Sequence, residues 1–205
     1  MNRVRVFLVL ICLAAAAFAG VLAWRVGALG GRSGGSSGQV SATGAAAIGG
    51  PFTLVDQDGK PVTEAALKGR WSAVFFGFTY CPDVCPGTLQ ALKAAVGQIG
   101  GKADKLQVVF ISVDPERDTP QQMKDYLGAM EMPVKTVGMT GTPEQIAAAA
   151  KAYRAYYKKN GEGEGYLVDH STAIYLMNPQ GGFDRVLAYG MTPDQMAEQL
   201  NQAIQ

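Results

Sequence analysis

An α/β sandwich built around a mixed central sheet is the fold class this sequence predicts, and three observations predict it. Residues 71–79 and 106–113, WSAVFFGFT and LQVVFISV, are apolar runs of strand length, the pattern of strands covered on both faces. Each is followed by a stretch that carries helix signals. Near the C-terminus two more strand-length runs flank a Gly181-Gly182 turn and precede a closing helix, which adds an antiparallel pair to the sheet.

The elements follow in order. FTLVDQDGKPV, residues 52–62, turns at Asp58-Gly59 and predicts an N-terminal β-hairpin. After strand 71–79, Leu89, Leu92, Val96 and Ile99 recur at helical spacing, Gly100-Gly101 closes the helix, and its start is expected at Pro86. After strand 106–113, Thr119 as N-cap and Pro120 in the first helical position open a helix within 118–130. A short strand is expected at 134–139. The same Thr-Pro start introduces GTPEQIAAAAKAYRAYYKK, expected to be the longest helix of the folded part. NGEGEGYLVDH reads as a glycine-rich loop, 171–178 and 183–190 as a hairpin, and MTPDQMAEQLNQAIQ as the last helix.

The N-terminus is different in kind. Val6 to Trp24 is uncharged, and at about 1.5 Å per residue it is long enough to cross the hydrocarbon core, so residues 1–26 are expected to form a transmembrane anchor. Ala17-Phe18-Ala19 resembles a signal-peptidase site, but the apolar run continues to Trp24, which favours an uncleaved anchor. Arg3 and Arg5 precede the span and Arg25 and Arg32 follow it, a weak bias toward a cytoplasmic N-terminus with the remainder exported. Cys12 is an apolar residue within the span. Residues 27–50, rich in Gly, Ser and Ala, form a flexible linker, and 51–205 form the folded domain. Setting aside the four N-terminal arginines leaves 14 basic against 17 acidic side chains, a balance that excludes a nucleic-acid partner.

The folded domain holds two cysteines, in GFTYCPDVCPGTLQAL. A residue before proline is pushed from the helical region, so Cys81 and Cys85 are both expected in the loop between a buried strand end and a helix N-terminus. Open α/β sheets put their ligands there. The helix N-terminus favours negative charge, which should lower the Cys85 thiol pKa in particular. As a disulfide staple the pair would close a very short loop and remove only roughly 2 kcal/mol of unfolded-chain entropy. Thiol exchange and soft-metal binding are the chemistries such a pair serves.

His170 is the single histidine, between the glycine-rich loop and strand 171–178. If that strand lies beside 71–79, His170 faces the cysteine loop. Closed structural zinc sites take four Cys or His ligands and the folded domain owns three, so structural zinc is disfavoured. Two thiolates and one imidazole suit Cu(I) and, with the histidine, Cu(II). The methionines are read mainly as core residues, Met123, Met177 and Met196 among them, because they fall on periodic apolar positions.

With FGFTYCPDVCP at 76–86, ISVDPERDTP at 111–120 and VDHS at 168–171, residues 50–205 resemble the Sco/SenC family of membrane-anchored copper proteins in cytochrome c oxidase assembly. The resemblance implies a thioredoxin-like fold and copper held by Cys81, Cys85 and His170. It implies a metallochaperone that delivers copper to, or prepares, the CuA centre of cytochrome c oxidase. The expected partners are the CuA subunit and a periplasmic copper donor or thiol reductant, and the expected location is a bacterial inner membrane with the domain in the periplasm. Asp83 and Asp114 also match family positions. Asp83 is read as supporting the ligands, docking a partner or accepting loop amides, and Asp114 chiefly as fixing a strand-to-helix turn. Tyr80 stands where many relatives carry histidine.

Two functions compete. A carrier would use the three ligands to capture and pass on copper, with His170 swinging on its glycine-rich loop. A thiol-disulfide reductase would use Cys81 and Cys85 as catalytic residues on the oxidase cysteines, although the spacing is C-x3-C rather than C-x2-C.

Overall fold

The hydrophobic run that starts at Trp71 becomes the axis of the molecule. In the computed structural model, which describes residues 48–205, strand β3 (Trp71–Gly77) is buried along almost its whole length. The anchor expected over 1–26 and nearly all of the linker lie outside the described residues. Among the described residues no helix is long and apolar enough to cross a membrane.

β1 (Thr53–Asp56) and β2 (Pro61–Thr63) pair antiparallel across the Asp58-Gly59 turn. β3 runs parallel to β4 (Leu106–Ser112), and β4 parallel to β5 (Lys135–Thr140). β8 (Ile174–Met177) lies antiparallel to the other flank of β3 and carries β9 (Phe183–Leu187) on its outer edge. The seven-stranded sheet therefore has the order β2-β1-β5-β4-β3-β8-β9, mixed as the sequence predicts. Its central strands are fully buried because helices cover both faces.

Strand periodicity divides the core. Phe75 and its register partner Phe110 point to one face, where Phe110 meets Tyr126 of α2 (Pro120–Met130). Helix α1 (Val84–Gln98) lies on this face too, because Cys85 abuts Gly77, which shares the side of Phe75. It packs against α2 and against α4 (Pro193–Ala203). Phe76 points the opposite way and meets Tyr153 of α3 (Pro143–Tyr153) and Tyr175 of β8. Thr119, Thr142 and Thr192 cap α2, α3 and α4 as side-chain acceptors, each followed by proline, as the Thr-Pro signals foretell. Met123, Met177 and Met196 are core residues.

Three expectations change. α1 starts at Val84, two residues before Pro86, so Cys85 is helical. The first i→i−4 bond of the helix runs from the Gly87 amide to the Asp83 carbonyl, so Pro86 occupies the first turn, where a missing N–H costs nothing. α3 ends at Tyr153, its last buried residue, and is shorter than α1; Arg154 adopts a left-handed φ of 54° and stops it. The chain then forms β6 (Tyr157–Asn160), which pairs with β7 (Leu167–His170) in a separate two-stranded ribbon. The expected loop is thus only the turn of that ribbon, and His170 ends β7 instead of opening β8.

Candidate metal centre

The site grows from the end of β3. Beyond Gly77 the chain leaves the sheet through Phe78, Thr79 and Tyr80, and the Cys81 amide donates to the Phe78 carbonyl at 3.2 Å. This tight turn aims Cys81 back toward α1, where its sulfur accepts from the Cys85 amide at 3.4 Å. Cys81 therefore supplies the side-chain acceptor at the helix start, because Asp83 at the N-cap makes no side-chain cap bond. Cys85 is fully buried and Cys81 half-buried at the surface of the loop.

A Cβ on Gly77 would lie 2.8 Å from the Cys85 sulfur and 3.0 Å from the Phe110 ring. Glycine at this position makes the room that the buried thiol fills.

The electrostatics separate the two thiols. Hydrogen bonding from the Cys85 side chain holds the Cys81 thiol far below its ordinary range, at about 4, although partial burial opposes this. The same bond, together with burial, pushes the Cys85 thiol upward, so it keeps its proton. The expectation that Cys85 is the activated thiol is therefore reversed: Cys81 receives the helix amide, and Cys85 is sealed in the core.

His170 reaches the pair from the end of β7, where its register partner is Tyr157. Its Nδ1–H donates to the Ser171 carbonyl at 2.9 Å, which leaves the Nε2 lone pair facing the sulfurs, 3.3 Å from Cys85 Sγ. Phe75 and Phe78 flank the imidazole edge-on, with ring centroids 6.0 and 5.7 Å away. The ligand atoms of Cys81, Cys85 and His170 all lie within 4.8 Å of one another. Beside them opens a cleft of about 430 Å³, walled by Pro82, Val84, Leu167 and Thr172.

The two acids separate. Asp83 is exposed, and its part in the site is its backbone amide, which helps to lower the Cys81 pKa. Asp114 is buried and does not join the ligand cluster. Its amide donates to Ser112 Oγ at 2.9 Å and its carbonyl accepts from the Arg117 and Asp118 amides, the strand-to-helix turn that was expected. Its carboxylate also accepts from Arg117 Nε at 2.6 Å and from the Tyr166 hydroxyl at 2.5 Å, so it ties the ribbon to the sheet.

Asp118 carries more structural weight than the sequence reading gave it. It is fully buried and accepts from the Thr79 amide, the Thr79 hydroxyl and the Ser112 hydroxyl. Burial raises its pKa, with those hydrogen bonds opposing. It fixes the turn that leads from β3 to Cys81. The only trace of this in the sequence is its place in ISVDPERDTP, where it passes for a helix-start residue.

A family profile described as SCO1/SenC matches residues 40–205. The chain is 50% identical over 153 residues to Protein SCO1 homolog 1, mitochondrial, of Arabidopsis thaliana, a match covering 74% of this chain and 45% of that protein. It is 46% identical over 154 residues to Protein SenC of Rhodobacter capsulatus, covering 75% and 69% respectively. The chain thus spans about half the length of the Arabidopsis relative. The crystal structure of Arabidopsis thaliana ScoI with copper bound matches with a TM-score of 0.73 at 45% identity, over 77% of this chain and 98% of that one. BsSco, a Sco-family cytochrome c oxidase assembly protein in which a disulfide switch was identified, matches with a TM-score of 0.60 at 26% identity, over 77% and 94%.

Proposed function

The chain belongs to the SCO1/SenC family, and from that membership we propose that it is a copper carrier serving the CuA centre of cytochrome c oxidase. Cys81, Cys85 and His170 would hold the ion. The observation that carries this reading is the convergence of two thiols and one imidazole within 4.8 Å at the side of an open cleft. The donor set fits copper: two sulfurs suit Cu(I), and the added imidazole suits Cu(II). Solved relatives with copper bound add support.

The chain's own residues divide the work. Cys81 is already a thiolate on the cleft side and makes the first contact. Cys85 must release its proton for capture to be complete, so binding liberates a proton. His170 presents Nε2 with its tautomer fixed by Ser171. On delivery, a partner thiolate approaching through the cleft replaces Cys81 first, since Cys85 has no exposed surface. We place the domain in the periplasm of a bacterium, tethered by residues 1–26 to the inner membrane. There it would receive copper from a periplasmic donor.

The test titrates the full chain in detergent, reduced and without oxygen, with Cu(I) against a competing chelator and separately with Cu(II). One copper per chain, lost in Cys81→Ala and in Cys85→Ala, is the expected result. His170→Ala should weaken Cu(II) more than Cu(I), which two thiolates retain; equal weakening would count against this division of roles.

A second reading rests on the asymmetry of the thiols. A half-exposed thiolate beside a buried, protonated thiol is the arrangement of an attacking and a resolving cysteine. Cys81 would attack a disulfide of the oxidase subunit and form a mixed disulfide. Cys85 would then displace the substrate sulfur, leaving the substrate dithiol reduced and Cys81–Cys85 oxidised. Failure to bind copper, together with reduction of a disulfide substrate by the reduced protein, would make this the primary role.

A further inference from the structure

His170 sits on a ribbon that belongs to neither edge of the main sheet, so something must hold that ribbon against the cysteine loop. The imidazole contact with Cys85 is one tie, at the end of β7. Beside the Tyr166–Asp114 bond and the Lys159–Glu116 ion pair at 2.6 Å, Arg117 makes the tie that also reaches the cysteine loop. Its guanidinium lies 3.6 Å from the ring centre of Tyr166, which precedes β7, and 4.7 Å from that of Tyr80, which precedes Cys81. Its Nε donates to Asp114, and its Nη1 to the Glu164 carbonyl in the ribbon turn at 3.1 Å. One side chain thus bridges the β4–α2 turn, the cysteine loop and the ribbon.

Its bonding pattern is unusual. The remaining nitrogen, Nη2, is buried with no hydrogen-bond partner among the described residues, and the side chain is only 15% exposed. A guanidinium whose role was limited to an ion pair would turn that nitrogen to water. Here flat aromatic faces take the place of solvent, a role that requires a planar, delocalised cation. Tyr80 is half exposed, so it closes the outer side of this stack and gives an otherwise bare aromatic at the mouth of the site a function.

We propose that Arg117 is a positioning residue for His170, a clasp between Tyr80 and Tyr166 that holds the β6–β7 ribbon so that the imidazole meets the cysteine pair. The clasp acts chiefly on the histidine, because Cys85 is placed by α1 and Cys81 by the turn that its amide closes on Phe78 and that Asp118 fixes through Thr79. Its consequence for metal binding rests on the copper reading above; its consequence for the ribbon does not. Breaking it should therefore cost the copper state that needs the imidazole and spare the one that two thiolates can hold.

The test compares Arg117→Leu, Arg117→Lys and Tyr166→Phe with the parent, as full chain in detergent, reduced. Hydrogen exchange of the metal-free protein should show faster exchange of the β6 and β7 amides in Arg117→Leu, with β3 and β4 unchanged. Cu(II) affinity should fall by about tenfold, the size typical of residues that orient a metal ligand, while Cu(I) affinity stays within about twofold. Arg117→Lys keeps the charge but not the planar face and should behave as Arg117→Leu. Tyr166→Phe keeps the stack, loses the Asp114 bond and should fall between. If Arg117→Leu does not fold, Tyr166→Phe and Tyr80→Leu carry the same comparison. Unchanged ribbon exchange, an equal loss of both copper states or full rescue by lysine would each overturn the clasp. A parent chain that binds neither copper state would overturn the copper reading, and the exchange result would still decide the clasp.

Discussion

At the scale of single residues, the informative contrast is between two cysteines four positions apart, Cys81 in the loop after β3 and Cys85 in the first turn of α1. Cys81 has a folded pKa of about 4 against an ordinary value of 9.0, so between those values the unfolded chain binds one more proton at this position than the folded chain. Stability from Cys81 therefore increases as pH rises from about 4 toward 9 and is lost as pH falls through the folded value. Cys85 is shifted the opposite way, and its contribution is intact below 9. Urea denaturation of the reduced protein should show a stability difference between parent and Cys81→Ser that widens from pH 5 to pH 8. A constant difference would mean that Cys81 is not the titrating group. Iodoacetamide at pH 6 should likewise label Cys81 well before Cys85, as peptide mass spectrometry would read directly. The sequence locates both thiols but assigns the activated role to Cys85, because proximity to a helix start is visible in sequence whereas the sulfur that accepts the helix amide is not.

At the scale of elements, the site depends on how closely α1 approaches β3. Gly77 lies at the end of a strand that otherwise reads as aromatic and aliphatic, and nothing in the run itself marks it as special. Its meaning comes from Cys85 on another element, 2.8 Å from where a Cβ would be. Gly77→Ala is expected to destabilise the protein by about 1–3 kcal/mol, the usual range for forcing an extra methyl into a filled core. It should also weaken Cu(I) binding, because the displaced group is the Cys85 sulfur. A variant of parent stability and parent Cu(I) affinity would show that the strand and helix have slack the structure does not suggest. The ribbon teaches the complementary lesson. AYRAYYKK has helical composition, but past Tyr153 the partly buried Ala155 and Tyr157 alternate with exposed neighbours at a strand period, and Tyr157–Asn160 gains a hydrogen-bonded partner in Leu167–His170. Pairing between segments separated by a glycine-rich turn overrides local propensity.

At the scale of the whole molecule, one buried carboxylate joins the pieces. Asp118 receives donors from the end of β3 and the end of β4, one residue before the Thr119 cap of α2. Asp118→Ala would leave the buried Ser112 hydroxyl and the Thr79 amide without this acceptor. An unsatisfied buried polar group costs about 1–3 kcal/mol, and a loss of at least that size is expected on chemical denaturation. Because Thr79 leads into Cys81, iodoacetamide labelling of Cys81 should also lose selectivity; destabilisation with unaltered labelling would separate the network from the site.

The sequence by itself determined the mixed α/β architecture, the Thr-Pro helix starts and the three side chains that converge, since buried strands, caps and a scarce set of soft ligands are written as composition and spacing. Tertiary structure alone decided which thiol is ionised, why residue 77 must be small, and that His170 is held on a ribbon clasped by Arg117 between Tyr80 and Tyr166. Each of these depends on groups that are far apart in the chain and become neighbours only when the sheet and its helices have packed.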